Sequence, residues 1–229
     1  MSGPPVSEPQ QQRRALPFWQ ELLLLLGIAL LLAIAIKALF LQAFYIPSGS
    51  MEDTLVFNDR ILVQKVSYWG GGSPQRGDVV VFADPGSWLP PQETAQAAGP
   101  VANGLEIFGL YPTGGHLVKR VIGVGGDTVR CCDGQGRVTV NGDPLNEQAY
   151  LAPGQEPSLI TFKTKVEPDH LWVMGDNRGN SADSRVHLGD PGGGQVPVED
   201  VVGKVFSVVW PLDHATLLHR PETFEAIDK

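Results

Sequence analysis

Cysteine and positive charge are both scarce in this chain, and each shortage argues against a class of function. The 229 residues include two cysteines, adjacent at Cys131 and Cys132. This spacing fits neither the CxxC pattern of zinc and redox sites nor a mixed His/Cys metal motif, so we expect no metal and no other cofactor. Lys and Arg total 17 against 25 Asp and Glu, a formal net charge of -8. Without a basic surface to hold a phosphate backbone, we expect no nucleic acid partner.

A helical period is also missing from the sequence beyond Tyr45. Short runs rich in β-branched and aromatic residues occur instead, at 61–63, 79–82, 118–124, 138–140, 171–173 and 201–210. Such runs are typical of strands. Glycine-rich turns separate them, and Asn141-Gly142 is a signal for a tight hairpin. The sequence therefore predicts a mainly β domain built from antiparallel sheets.

One long apolar run precedes this β region. Residues 22–41 carry a single charge, Lys37, and their length suits a helix that crosses a hydrocarbon core of roughly 30 Å. Lys37 lies near the far end, where its stem can stay in lipid while its ammonium reaches the interface. We expect a single transmembrane helix with a cytoplasmic N-terminus. The alternative is a cleavable signal peptide cut after Ala35, but that cut would fall inside the apolar run. Either interpretation exports the rest of the chain.

These patterns divide the chain into four segments. We expect a disordered cytoplasmic tail at 1–20, a membrane anchor at 21–43, an extracytoplasmic catalytic domain at 44–212 and a C-terminal tail at 213–229. Residues 84–115 carry few strand signals and are expected to form a surface insertion. Because export permits oxidation, Cys131 and Cys132 either form a strained vicinal disulfide or pack as two thiols.

A serine hydroxyl needs a nearby base before it becomes an effective nucleophile. The histidines stand in no recognisable triad pattern and are interpreted as surface residues: His116, His170, His187, His214 and His219. Lysine can replace histidine where burial disfavours its ammonium form. Lys119 lies in the strand-like run 117–122, and strand alternation would point it away from the face of Val118. Taken alone, a lysine in a strand is usually a solvated edge residue.

Four separated sequence blocks, one of which contains Lys119, support a catalytic role for this lysine. They are Ile46-Pro47-Ser48-Gly49-Ser50-Met51 with Thr54-Leu55, Arg76 through Phe82, Lys119 through Gly123 with Gly126-Asp127, and Gly175 through Arg185. In this order, and after an apolar anchor, they resemble the bacterial type I signal peptidases, also called leader peptidases. Two positions depart from the family pattern: Asp53 stands where proline is common, and Gly179 where an acidic residue is more usual.

The resemblance implies a role for each matching polar residue. Ser50 would be the nucleophile and Lys119 the neutral general base of a Ser-Lys dyad. Ser48 and the Ser50 N–H would form the oxyanion hole. Ser181 would orient the lysine amine, while Asp183 and Arg185 would hold the polar loop in place. Read alone, the same Gly-Asp-Asn and Asn-Ser-Ala-Asp sequences would be ordinary turns.

The family's substrate preference implies small, shallow pockets that accept an Ala-x-Ala-like site. The matching wall positions, which could equally be plain core residues, are Phe44, Ile46, Pro47, Met51, Leu55, Ile61, Val81, Leu117 and Val118. The resemblance further implies a single-pass protein of the bacterial cell membrane. Its partners would be secretory preproteins and the lipid bilayer, and it would lie near the export machinery.

Two other functions fit parts of the sequence. A catalytically silent, membrane-anchored β module could bind exported chains in the same groove, but it would be expected to lack Ser50 or Lys119. A self-cleaving repressor would also use a Ser-Lys dyad, but it would have a helix-turn-helix before the dyad rather than an apolar span.

Overall fold

The computed structural model describes residues 17–86, 88–89 and 115–228, without the side chains of 35–39 and 69. Most of the expected N-terminal tail and most of the expected insertion therefore lie outside the described residues.

A single helix, α1 (Phe18–Phe40), occupies the apolar run. Its described leucine and isoleucine side chains are largely exposed, as at Leu22, Leu26 and Leu31. Within the described part of the chain, no helix combines the length and the hydropathy needed to cross a membrane. The helix ends at Phe40 because the next residues, Leu41–Tyr45, pair as a strand.

Antiparallel strands build the remainder of the described chain. Their bounds are β1 Leu41–Tyr45, β2 Arg60–Gln64, β3 Val79–Ala83, β4 His116–Val124, β5 Thr128–Cys131, β6 Val138–Val140, β7 Asp143–Pro144, β8 Phe162–Lys165, β9 His170–Met174, β10 Val196–Pro197, β11 Val201–Trp210 and β12 Thr216–Leu217. Four 3-10 helices, η1 Val66–Gly71, η2 Arg178–Asn180, η3 Val186–Gly189 and η4 Val198–Asp200, and a short helix, α2 Glu222–Ile227, complete the elements.

The strands form two sheets. The larger has eight strands in the order β1-β2-β11-β3-β4-β9-β10, with β12 paired to β11, and the smaller has the order β7-β6-β5-β8. Strand β4 lies between β3 and β9, with Lys119 opposite Val80 and Arg120 opposite Met174. This central position surrounds Lys119 with protein on both neighbouring strands.

The mainly β, antiparallel prediction is confirmed. All six predicted runs form strands, in β2, β3, β4, β6, β9 and β11. Asn141 and Gly142 both have positive φ, 56° and 97°, between β6 and β7, as a tight hairpin requires. Sequence reasoning missed β1, β5, β8 and the two-residue strands.

The expected C-terminal tail contains structure that the sequence analysis did not predict. Strand β12 and helix α2 lie within it, and Phe224 of α2 is fully buried with Ile122, Tyr150 and Trp172 in one apolar cluster. The same cluster includes Cys131, and the structure joins Cys131 to Cys132 in a disulfide.

Candidate active site

Ser50 lies in the turn that connects β1 to β2. The base of this loop is closed by two backbone hydrogen bonds, from Ile46 N–H to Asp59 C=O at 2.9 Å and from Asn58 N–H to Ile46 C=O at 3.0 Å. The Asp59 carboxylate also accepts the Val56 N–H at 2.9 Å. Ser50 itself is buried, although the preceding Ser48 is exposed. A fixed turn thus presents the hydroxyl of Ser50 to the interior side of the loop.

Lys119 reaches this turn from β4. Its Nζ lies 2.8 Å from Ser50 Oγ and 3.1 Å from the Val118 carbonyl oxygen, and the side chain is only 3% exposed. These two residues are 69 positions apart in sequence. The structure therefore brings together the serine and the lysine that the sequence analysis selected.

The environment of Lys119 favours a neutral amine. The pKa of Lys119 is lowered to about 8, chiefly by burial; the carboxylates of Asp183 and Asp176 oppose this shift, and the charge of Arg185 adds to it. A lysine with this pKa is substantially deprotonated at mildly alkaline pH. It can then accept a proton from a hydroxyl at hydrogen-bond distance.

Ser48 supplies a second hydroxyl beside the nucleophile. Its Oγ lies 3.3 Å from Ser50 Oγ. This places a hydroxyl group on the same turn as the Ser50 N–H.

Asp183 and Arg185 form a buried ion pair. Arg185 donates to Asp183 at 2.7 and 2.9 Å, and Asp183 also accepts the Gly175 N–H at 3.0 Å. Burial opposes ionisation of Asp183, but Arg185 and the Gly175 N–H outweigh it and lower the carboxyl pKa. Arg185 also donates to the Arg178 carbonyl at 3.0 Å. The pair thereby ties the end of β9 to the polar loop that follows.

Ser181 is buried between these groups. Its hydroxyl makes no hydrogen bond of standard geometry, so the expected bond to the Lys119 amine is not formed. It lies close enough to Asp183 to help lower the pKa of that carboxyl.

Gly175 separates Ser181 from the nucleophile turn, and we predict that a side chain there disrupts the site. A Cβ at this position would lie 2.3 Å from Ser181 Oγ and 2.5 Å from the Ser50 carbonyl oxygen. One of these groups must move, and a displacement near 1 Å is expected to lower kcat/KM about 10²-fold in Gly175→Ala. Steady-state kinetics of peptide hydrolysis measure this change.

Gly134→Ala is the matched control, because nothing lies within 4 Å of its added Cβ. Parent-like kcat/KM in a folded Gly175→Ala variant would contradict the close approach.

The residues predicted to form the pocket walls do not all lie together. Six belong to one apolar cluster, against which Val118 packs: Phe44, Ile46, Met51, Leu55, Ile61 and Val81. Leu117 belongs to a different cluster, and Pro47 is exposed. Phe44 also lies 5.5 Å from the His116 ring, centroid to centroid.

Sequence reasoning assigned no role to a second buried ion pair beside the dyad. Arg120 holds Asp176 through two bonds of 2.8 and 2.6 Å and donates to the Gly77 carbonyl at 2.9 Å. Thr54 donates to the same carboxylate at 2.6 Å, which connects the nucleophile turn to β4 and to the loop after β9. The sequence could have indicated this pair, because Arg120 and Asp176 each lie inside a block that also holds a predicted site residue.

Two of the histidines contact carboxylates. His187 pairs with Asp190 at 2.7 Å, and His214 contacts both oxygens of the buried Asp59 at 3.0 Å. Ser50 Oγ lies within hydrogen-bond distance of Lys119 Nζ and Ser48 Oγ. Among the described residues, no three His, Cys, Asp or Glu side chains are arranged to hold a metal ion.

A family model and relatives of similar sequence identify one family. The family model described as "Signal peptidase, peptidase S26" matches residues 19–210. A signal peptidase I of Mycobacterium tuberculosis (strain CDC 1551 / Oshkosh) is 41% identical over 228 residues, covering 89% of this chain and 76% of the relative. The signal peptidase I of Leptolyngbya laminosa is 34% identical over 221 residues, covering 96% and 94%. A crystal structure of a signal peptidase I from Enterococcus faecalis V583 aligns with 57% of this chain and 95% of that chain, at 23% identity and a TM-score of 0.36. The chain belongs to the signal peptidase family, peptidase S26.

Proposed function

We propose that this peptidase is a membrane-bound serine endopeptidase that removes signal peptides from exported preproteins, with Ser50 as nucleophile and Lys119 as general base. The observation that carries the proposal is the 2.8 Å separation of Lys119 Nζ from Ser50 Oγ, with both side chains buried. A buried neutral amine at this distance can accept the proton that makes the hydroxyl reactive.

Acylation would follow from this geometry. Ser50 Oγ attacks the scissile carbonyl carbon while Lys119 Nζ takes the hydroxyl proton. The carbonyl oxygen becomes negative and is stabilised by the Ser50 N–H and the Ser48 O–H. Collapse of the tetrahedral intermediate breaks the C–N bond, and the Lys119 ammonium returns its proton to the leaving amine. The mature protein departs, and the signal peptide remains as an ester on Ser50.

Deacylation would reuse the same two residues. Lys119, neutral again, takes a proton from a water molecule that attacks the ester carbonyl. The second tetrahedral intermediate collapses by releasing Ser50 Oγ, which receives the proton from Lys119. The signal peptide leaves as a free carboxylate.

Substrate choice is proposed to rest on the apolar cluster beside the turn. Shallow apolar pockets accept a methyl side chain and exclude larger ones, which favours cleavage after an Ala-x-Ala-like site. The wall would include Phe44, Ile46 and Val81, which lie in one buried cluster with Met51.

Membrane attachment is proposed from the sequence of the apolar run and its exposed side chains. Residues 22–41 hold one charge. The described leucines of α1 are exposed, and leaving so much contiguous apolar surface in water is unfavourable. A bilayer would cover them and leave the N-terminus cytoplasmic and the β domain outside the bacterial cell membrane. Secretory preproteins and the lipid bilayer are then the partners, and the export machinery would be near.

The decisive test uses the detergent-solubilised full chain and a secretory preprotein with an Ala-x-Ala site. Cleavage after the second alanine by the parent, located by mass spectrometry and absent with Ser50→Ala, is the expected result. No cleavage by the folded parent would favour a silent binding module, and cleavage by both proteins would place the nucleophile elsewhere.

Removing the Ser48 hydroxyl is predicted to weaken the oxyanion hole. Losing one such donor costs about 3 kcal/mol of transition-state stabilisation, so kcat should fall about 10²-fold in Ser48→Ala with KM little changed. Ser73→Ala, at an exposed serine, is the control. An unchanged kcat for Ser48→Ala would exclude Ser48 from the oxyanion hole.

A further inference from the structure

Asn177, which follows β9, holds the part of the nucleophile turn that contains Ser50. Asn177 is 9% exposed and contacts three separate groups of the turn. Its backbone N–H donates to the Ser50 carbonyl at 3.1 Å. Its side-chain Nδ2 donates to the Gly49 carbonyl and to Glu52 Oε2, each at 3.1 Å.

These bonds constrain the two peptide units that flank Ser50. The Gly49–Ser50 peptide is trans, so the Gly49 C=O and the Ser50 N–H lie in one plane and point in opposite directions. A bond that fixes the Gly49 carbonyl therefore fixes the direction of the Ser50 N–H. That N–H is the backbone donor of the proposed oxyanion hole. The bond to the Ser50 carbonyl restrains the next peptide unit in the same way.

Glu52 determines how the Asn177 amide is oriented. Both groups that face the amide, the Gly49 carbonyl and the Glu52 carboxylate, are acceptors. Only the NH₂ end can satisfy both, since it carries two hydrogens. Glu52 is half-buried and belongs to the same turn as Ser50. It therefore holds Asn177 in the orientation that the Gly49 carbonyl requires.

We infer that Asn177 is a positioning residue that aims the Ser50 N–H at the developing oxyanion, and that Glu52 keeps Asn177 in place. This inference rests on the proposed function. Neither side chain needs to touch substrate or the Lys119 amine. Their effect should appear in kcat and should leave the titration of the general base unchanged.

The first experiment compares Asn177→Ala with the parent in detergent, using a signal-peptide substrate. We expect kcat to fall about 10- to 100-fold, with KM changed less than about threefold. The midpoint of the pH–rate profile should match that of the parent. Asn180→Ala, an exposed residue of the same loop, should keep parent kinetics.

A double variant distinguishes oxyanion positioning from a general structural effect. Because Ser48 and Asn177 would serve the same oxyanion, the loss in Ser48→Ala/Asn177→Ala should be smaller than the product of the two single losses. Parent-like kcat in Asn177→Ala, a shifted pH midpoint, or a fully multiplicative double loss would overturn the inference.

Glu52 provides a second route if Asn177→Ala fails to fold. Glu52→Gln retains an acceptor oxygen and should keep kcat near the parent value, whereas Glu52→Ala should lower it about fivefold. Asp53→Ala, at the exposed neighbour, controls for lost charge. Equal kcat for both Glu52 variants would overturn the role of Glu52. A folded parent that cleaves nothing would reject the proposed function itself, and with it this inference.

Discussion

Replacing Lys119 by methionine is expected to lower kcat/KM by about 10⁴-fold or more, comparable with the loss in Ser50→Ala. The amine lies 2.8 Å from the nucleophile, and methionine offers no base in its place. Lys119→Arg should be equally inactive, because a guanidinium cannot give up its proton at accessible pH. Lys163→Met, at an exposed lysine of β8, is the matched control.

Lys119→Met should also make the protein more stable than the parent at neutral pH. The pKa of Lys119 is lowered to about 8 in the fold from a reference of 10.5, so between these values the unfolded chain binds more protons. The free energy of unfolding of the parent therefore rises with pH between about 8 and 10.5. Below pH 8 the buried amine is protonated, and the folded state bears the full cost of burying an ammonium group. At 1.36 kcal/mol per pKa unit this cost is on the order of 3 kcal/mol, which methionine avoids.

Thermal melting at pH 7 and at pH 10.5 checks this expectation. Lys119→Met should melt above the parent at pH 7, and the difference should shrink at pH 10.5. An inactive variant that melts well below the parent at pH 7 would mean that Lys119 acts mainly as a structural residue.

Asp176→Ala is expected to produce the largest loss of stability. It leaves the Arg120 guanidinium, 3% exposed, without its carboxylate partner. Removing one member of a buried ion pair costs about 3–5 kcal/mol. For a chain of this size, that lowers Tm by roughly 6–20 °C. Thermal unfolding followed by circular dichroism measures the change.

Asp133→Ala is the comparison variant for this prediction. Asp133 pairs with Arg137 at the surface, where solvent screens the interaction, and its carboxylate accepts the Gln135 and Arg137 N–H groups of an exposed turn at 2.8 and 2.9 Å, so Tm should fall much less than in Asp176→Ala. Similar melting of Asp176→Ala and the parent would show that Arg120 finds another partner or reaches water.

The strands that sequence alone predicts are those with their own apolar runs. Residues 79–82 and 118–124 are rich in valine and isoleucine, and Asn141-Gly142 specifies its turn locally. Strand β1 could not be predicted because residues 38–45 are apolar enough to continue the preceding helix. Only the pairing with β2 decides between a helix and a strand at this position. Helix α2 is too short to show a period, and it forms where Phe224 is buried.

In the candidate site too, local sequence patterns identify some residues, whereas the contacts between residues depend on the complete fold. Ser50 and Lys119 could be selected from motif order, although the 2.8 Å contact between them depends on the complete sheet. The contact of Asn177 with Glu52 spans 125 positions, and the bond of Arg120 to Asp176 spans 56. Such side-chain pairs depend on how β4, β9 and the nucleophile turn assemble, which local patterns do not specify.

The most direct test of Lys119 as a neutral general base is the pH dependence of kcat/KM for the full chain in detergent, with a signal-peptide substrate. The lysine account predicts an activity that rises with pH through an apparent pKa near the Lys119 value of about 8, with the same midpoint in His214→Asn and the other single histidine variants. A rising limb near 6.5 that disappears in one folded histidine variant would contradict it and assign the base to that histidine.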